Sequence, residues 1–114
     1  MSLLQRMLIH DALYWAPNGS DVYGARQYAD AVEIKCRWEH GTRETITSTN
    51  TEITAEDKVY VDRDVVEGGR LMLGTLQALP PEALQQPPSE AVEIKAYRWL
   101  DKIRGDERLR WALL

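Results

Sequence analysis

Residues 31–39 read Ala-Val-Glu-Ile-Lys-Cys-Arg-Trp-Glu, so Val32, Ile34, Cys36 and Trp38 alternate strictly with Glu33, Lys35, Arg37 and Glu39. A two-residue period puts the apolar set on one face of a strand and the charges on the other. This predicts a half-buried strand with the first set inside and the second in water. Upstream, Met7, Ile9, Leu13 and Trp15 share one parity, with Asp11 the exception, which predicts an opening strand through Trp15. A helix over 3–13 competes, because Leu3, Leu4, Met7 and Leu8 also fit helical spacing. Pro17 then removes an amide donor and Asn18-Gly19 favours a turn, so a long loop is expected over 16–30.

Past Glu39, His40-Gly41 reads as a tight reversal. The six Thr and Ser residues from Thr42 to Thr51, set around Ile46, read as a solvent-facing strand that pairs back and ends at Asn50. Val59, Val61 and Val65 predict a fourth strand, Gly68-Gly69 a turn, and 70–76 a short fifth strand. Four of the five prolines (Pro80, Pro81, Pro87 and Pro88) fall within nine positions, so 77–90 is an extended loop that no central strand can contain. A loop of that length in a small domain is usually functional or mobile.

The close of the chain has two readings. Ser89 could cap a helix carrying Val92, Ala96, Trp99, Leu100 and Ile103 on one face, with Gly105 ending it. Against this, Ala91-Val-Glu-Ile-Lys95 repeats Ala31-Val-Glu-Ile-Lys35, and Arg-Trp follows each copy, one residue later in the second. A single extra residue is what a β-bulge absorbs. The echo favours strand over 91–99, and Leu109, Trp111 and Leu113, alternating with Arg108, Arg110 and Ala112, predict a last strand. Six to seven short strands with turn signals every ten or so residues imply an all-β fold, a small antiparallel barrel or sandwich with long loops at 16–30 and 77–90.

At 114 residues and 44% hydrophobic content, the chain is a single domain, 1–114, with one core. Phe is absent while four Trp and five Tyr are present, so aromatic area comes with polar handles suited to half-buried or interface positions. The net charge is −4 and concentrated in the first half; from Lys95 to Arg110 six basic residues face three acidic ones. That excess is small for a tight nucleic-acid binder, and it equally suits contact between unlike surfaces of neighbouring subunits. No run approaches a membrane span, the start does not read as a signal peptide, and a lone cysteine allows no internal disulfide. The expectation is a soluble protein made in a reducing compartment, with no membrane partner.

No residue pattern points to catalysis. Cys36 lies in the apolar register and reads as a small buried hydrophobe. His10 and His40 have no partner at ligand spacing. Asp62 and Asp64 lack the further oxygen ligands of a calcium loop and read as salt-bridged surface carboxylates. Gly68-Gly69 lacks the Lys-Ser/Thr of a phosphate loop. No catalytic residue, metal or cofactor is expected. Trp15, Tyr23, Tyr28 and Trp38, beside Arg26, Lys35 and Arg37, are candidate stacking platforms for single strands, but Trp38 has core parity and the others lie amid Asp21 and Asp30.

Taken together, Tyr14-Trp-Ala-Pro17, Tyr23-Gly24, Val32-x-Ile-x-Cys-Arg-Trp-Glu39, Val59-Tyr-Val-Asp-Arg-Asp-Val65 and Gly69-Arg-Leu-x-Leu-Gly74 resemble the small head-tail connector proteins of long-tailed bacteriophages, the head-closure or stopper family. The resemblance runs through Ile94, Arg104-Gly105 and Leu109-Arg110-x-Ala112-x-Leu114, and so covers most of the chain. It implies a β-barrel that assembles as a ring of copies of itself, with portal or adaptor proteins on the head side and a tail terminator or tail tube on the tail side. Such a ring shuts the channel after packaging and retains the DNA, lies near it without regard to sequence, docks the tail, and belongs to the virion neck after assembly in the host cytoplasm. The Pro-rich 79–88 stretch departs from the family in length. The resemblance brings no catalytic residues.

Under this reading, contacts to neighbours should concentrate in three places: Tyr23, Arg26 and Tyr28 of loop 16–30, Pro80 and Pro87 of loop 77–90, and Lys102, Arg104 and Arg108 of a charged hairpin over 100–110. The alternatives are an OB- or SH3-like nucleic-acid-binding barrel using Lys95–Arg110, or another neck subunit such as an adaptor or tail terminator.

Overall fold

A computed structural model describes residues 8–48, 51–101 and 108–114. The chain is all-β and antiparallel. Its strands are β1 (His10–Trp15), β2 (Pro17–Ser20), β3 (Arg26–Tyr28), β4 (Val32–Ser48), β5 (Thr51–Val61), β6 (Arg70–Leu73), β7 (Val92–Glu93), β8 (Ala96–Asp101) and β9 (Arg108–Leu113). Seven form one sheet in the order β7-β6-β1-β4-β5-β9-β8, and β2 and β3 make a separate ribbon.

The two edges of the large sheet, β7 and β8, are successive stretches of one chain parted only by Ile94-Lys95. At this corner Ile94 N–H donates to the Gly69 carbonyl (2.8 Å), while Lys95 N–H donates to the Leu113 carbonyl (2.8 Å). The sheet is thus curled, sandwich-like, around its core, and what joins its edges is a chain crossing and not a strand ladder. The bulge expected from the extra residue of the echo is replaced by this corner: β8 pairs β9 in unbroken register from Ala96 to Asp101, and 91–99 is two strands, not one. Residues 91–101 are strand and corner, with no helix.

Ala12, Tyr14, Ile34, Cys36, Trp38, Val59, Val61, Leu71, Ile94, Ala112 and Leu114 fill the inside of the roll. Ile34, Cys36 and Trp38 are buried as their alternation requires, and Glu33 and Lys35 are exposed. Val32 departs from expectation at 41% exposure. Its register is right but its position is terminal. It ends the cross-strand row Val32–Tyr14–Leu71–Val92, whose inner members are buried and whose two ends are open. The echo is therefore structural as well as literal: Ile34 and Ile94 are both inside, Val32 and Val92 both exposed, and Ala31 and Ala91 share a second cluster.

That second cluster lies on the outer face of β1. Leu13 and Trp15 pack there with Ala31 and Ala91, and against Tyr28, Met72 and Leu79. Both faces of β1 are buried, so Ala12 and Tyr14, opposite to the expected parity, reach the main core. The exception in the odd-numbered pattern, Asp11, lies across from Lys35 and forms an ion pair with it. The opening segment is strand from His10; the part of the competing helix before residue 8 lies outside the described residues.

Three further expectations are corrected. His40-Gly41 does not reverse the chain: β4 runs on to Ser48, and Gly41 (φ +79°) occupies a register shift between His40 and Glu44. A positive-φ glycine serves a bulge as readily as a turn, so the hairpin reverses between Ser48 and Thr51. The expected end at Asn50 lies outside the described residues. Residues 16–30 are not a plain loop but contain the β2–β3 ribbon, with Gly19 (φ +76°) at its own register shift. The fourth strand stops at Val61, and Val65 reaches the core from the turn that follows.

Gly69 marks a close approach. A Cβ there would lie 2.8 Å from the Trp15 carbonyl and 3.0 Å from the Tyr14 ring. Gly69→Ala is therefore expected to destabilise the fold by about 1–3 kcal/mol through overpacking against backbone, measured by urea denaturation.

Burial, with Asp11 and Asp62 adding to it, pushes the Cys36 thiol up to about 11, and burial with the Asp64 hydrogen bond pushes the Tyr97 hydroxyl up to about 12. Both groups keep their protons longer when folded than when unfolded. The stability they contribute is complete below pH 9 and is lost between about pH 9 and 12 as the unfolded chain ionises first. Cys36 should be inert to thiol reagents at pH 8 in the folded protein and react on unfolding.

Candidate interaction surfaces

Among the described residues no group of three or more His, Cys, Asp or Glu side chains could hold a metal ion, and no helix is long and apolar enough to cross a membrane. Asp62 pairs with Arg63 (2.9 Å), and Asp64 accepts from Arg110 (3.0 Å) and from the Tyr97 hydroxyl (2.5 Å). The Tyr97 and Arg110 hydrogen bonds hold the Asp64 carboxyl below its ordinary value. What stands out is exposed apolar surface on protruding β-elements.

The tip of the β2–β3 ribbon is the sharpest instance. Asp21 Oδ1 accepts from the N–H groups of Tyr23 (2.8 Å) and Ala25 (2.9 Å), and Asp21 N–H donates to the Ala25 carbonyl (2.8 Å). Gly24 takes the positive φ of +82° that the turn needs. This set turn holds Val22 and Tyr23 in water at 93% and 91% exposure. A fixed backbone bearing an exposed aliphatic and an exposed aromatic side chain has little ordering entropy left to lose on binding.

Arg26 and Tyr28 do other work. Arg26 pairs with Glu93 and reaches the Gly68 carbonyl (3.4 Å); Tyr28 packs in the second cluster and accepts from Arg70 Nε (3.3 Å). They fasten the ribbon to the β6–β7 corner. Val22 was not singled out from the sequence. The signal was there in Asp21-Val-Tyr-Gly24, since Asp at the start of a turn and Gly three residues on describe a side-chain-closed turn.

The 77–90 segment is a strap. It carries two single 3-10 turns, Leu76–Ala78 and Pro81–Ala83. The Trp15 indole N–H lies 3.0 Å from the Ala83 carbonyl and 3.1 Å from that of Leu84, which also accepts from Ala31 N–H (2.8 Å). Pro80 is exposed and Pro87 half-buried.

The β8–β9 hairpin is a further surface. Trp99 and Leu100 are both more than half exposed, on opposite faces of β8. Arg108 pairs with Asp101 and lies over the Trp99 ring (5.8 Å), and Trp99 neighbours Tyr97 (5.7 Å between centroids). Lys102 and Arg104 lie outside the described residues.

A last feature is the cross-strand row Arg37–Tyr60–Trp111–Arg98. It has the composition of a stacking platform, but its rings are engaged. Lys58 sits over both (5.2 and 5.0 Å), and Trp111 packs against the cluster of Ile46, Ala55, Ala96 and Leu113. Trp15 and Trp38 are buried and Tyr28 is half-buried, so of the candidate stacking residues only Tyr23 is fully offered to solvent. No family model, curated protein or solved structure matches this chain.

Proposed function

We propose that this chain is a subunit of a bacteriophage neck, a head-closure or stopper connector that forms a ring below the portal and adaptor, retains packaged DNA and docks the tail. The observation that carries the reading is the Asp21-closed turn that holds Val22 and Tyr23 in water. A rigid roll with apolar side chains displayed on set turns and hairpins suits assembly by contact between unlike surfaces, and such contacts close into a ring when the rotation allows. The strand and turn motifs that resemble head-closure proteins support the same reading. The test is a phage lacking the protein: filled heads should accumulate without tails and lose their DNA. Tailed, infectious particles from that phage would refute it. The engaged rings of the aromatic row give an OB- or SH3-like nucleic-acid reading no support; salt-dependent DNA binding by the isolated protein would favour that rival instead.

A further inference from the structure

We infer that the open edge of β8 is completed by a strand of the β4–β5 arm from a second copy of this chain. The inference rests on the ring reading, because it names the contact that joins neighbours. Among the described residues β8 ends the seven-stranded sheet and pairs only with β9. The Tyr97 carbonyl is met by the Arg98 guanidinium of the same strand (3.1 Å). Edge strands are ordinarily blunted by shortness, proline, lysine or a bulge. Here Arg98–Asp101 carries Trp99 and Leu100 exposed on opposite faces, and β8 runs in unbroken register with β9 from Ala96 to Asp101. Such an edge invites strand addition.

The arm supplies the complement. Past the bulge at Gly41, β4 and β5 continue beyond their neighbours among the described residues, where β1 pairs β4 as far as Cys36 and β9 pairs β5 over Lys58–Val61. Ile46 and Ala55 anchor the arm in the third cluster, leaving Arg43, Thr45, Thr47, Glu52, Thr54 and Glu56 exposed. Threonine suits strands, so the arm is already in the form an edge accepts.

Charge fixes the partner. Past Gly41 the arm, residues 42–56, holds Glu44, Glu52 and Glu56 against Arg43, a net −2. The described part of the β8–β9 hairpin holds Lys95, Arg98, Arg108 and Arg110 against Asp101, a net +3. Arg108 and Arg110 already bond Asp101 and Asp64, whereas Lys95 and Arg98 meet only the Thr54 and Tyr97 carbonyls, and Arg98 is the one of these two that lies within β8 itself. Two arms would repel, as would two β8 hairpins, whereas arm on hairpin attracts. The contact joins unlike surfaces, which is what ring growth requires.

The test is a charge swap in the full chain, with far-ultraviolet circular dichroism and melting confirming the fold and sedimentation velocity reading self-association. Glu52→Lys and Arg98→Glu, each alone, should weaken association about tenfold. The double variant should restore it. Amides of Tyr97–Asp101 should exchange more slowly in the assembled protein than in the monomer. Single swaps without effect, a double variant no better than the singles, or equal exchange in both states would overturn the inference. If the wild-type protein still forms rings in those cases, the connector reading survives and only this contact fails; a protein monomeric at every concentration overturns both.

Discussion

Trp15→Ala is expected to cost about 3–5 kcal/mol in chemical denaturation, the range for emptying a buried large aromatic site. Trp15 is fully buried, and its indole N–H bonds the strap at the Ala83 and Leu84 carbonyls. Removing it opens a cavity under the strap and strips a side-chain donor from two carbonyls. Against a typical domain stability of about 5–15 kcal/mol, this is the largest single-residue effect expected here. Trp15→Phe should cost less, because it keeps most of the volume and loses only the hydrogen bonds. Both variants should make 77–90 more susceptible to protease. If Trp15→Ala melts like wild type, the strap does not depend on the indole.

The same geometry bears on excising the proline-rich stretch. Read from sequence alone, deleting Pro80–Pro88 should leave a folded, soluble monomer while impairing particle assembly or DNA retention. In the structure the Ala83 and Leu84 carbonyls of that segment hold the Trp15 indole N–H and the Ala31 N–H, so its deletion strips two members of the second apolar cluster of their partners. A loss of assembly after such a deletion would report unfolding as much as interface.

The second large effect is at the ribbon tip. Val22→Ser together with Tyr23→Ser should leave the melting temperature within a degree or two of wild type, since neither side chain is buried and surface changes usually stay within about 0.5 kcal/mol. The same variant should fail to support particle assembly, because buried aromatic anchors dominate interface energy. Asp21→Ala is the companion test. It removes the acceptor for the Tyr23 and Ala25 N–H groups while leaving both apolar side chains in place. Its expected result is an intermediate defect, from a turn that must now be ordered on binding.

Much of this architecture was legible in the chain. The alternation at Ile34, Cys36 and Trp38 fixes the face of β4, because a one-residue slip would bury Lys35. The echo at 91–95 anticipates strand at the close, but the Ile94-Lys95 corner between β7 and β8 stands where it led one to expect a bulge. What was hidden depends on distant partners. Nothing local to 77–90 says that an indole 68 residues away will hold it down. Gly41 announces a positive φ but does not say whether the chain reverses or bulges; the pairing of β4 beyond it decides. Val32 obeys its alternation and is exposed because its row ends there, which only the sheet order reveals. Tyr23, Arg26 and Tyr28 look alike as loop residues. The fold separates them into a displayed tip and two fasteners.

The connector reading is tested most directly by imaging the neck of an intact particle by cryo-electron microscopy. A closed ring of this chain is expected between portal–adaptor and tail, with Tyr23 buried against a neighbouring subunit. Particles whose neck density contains no copy of this chain would contradict it.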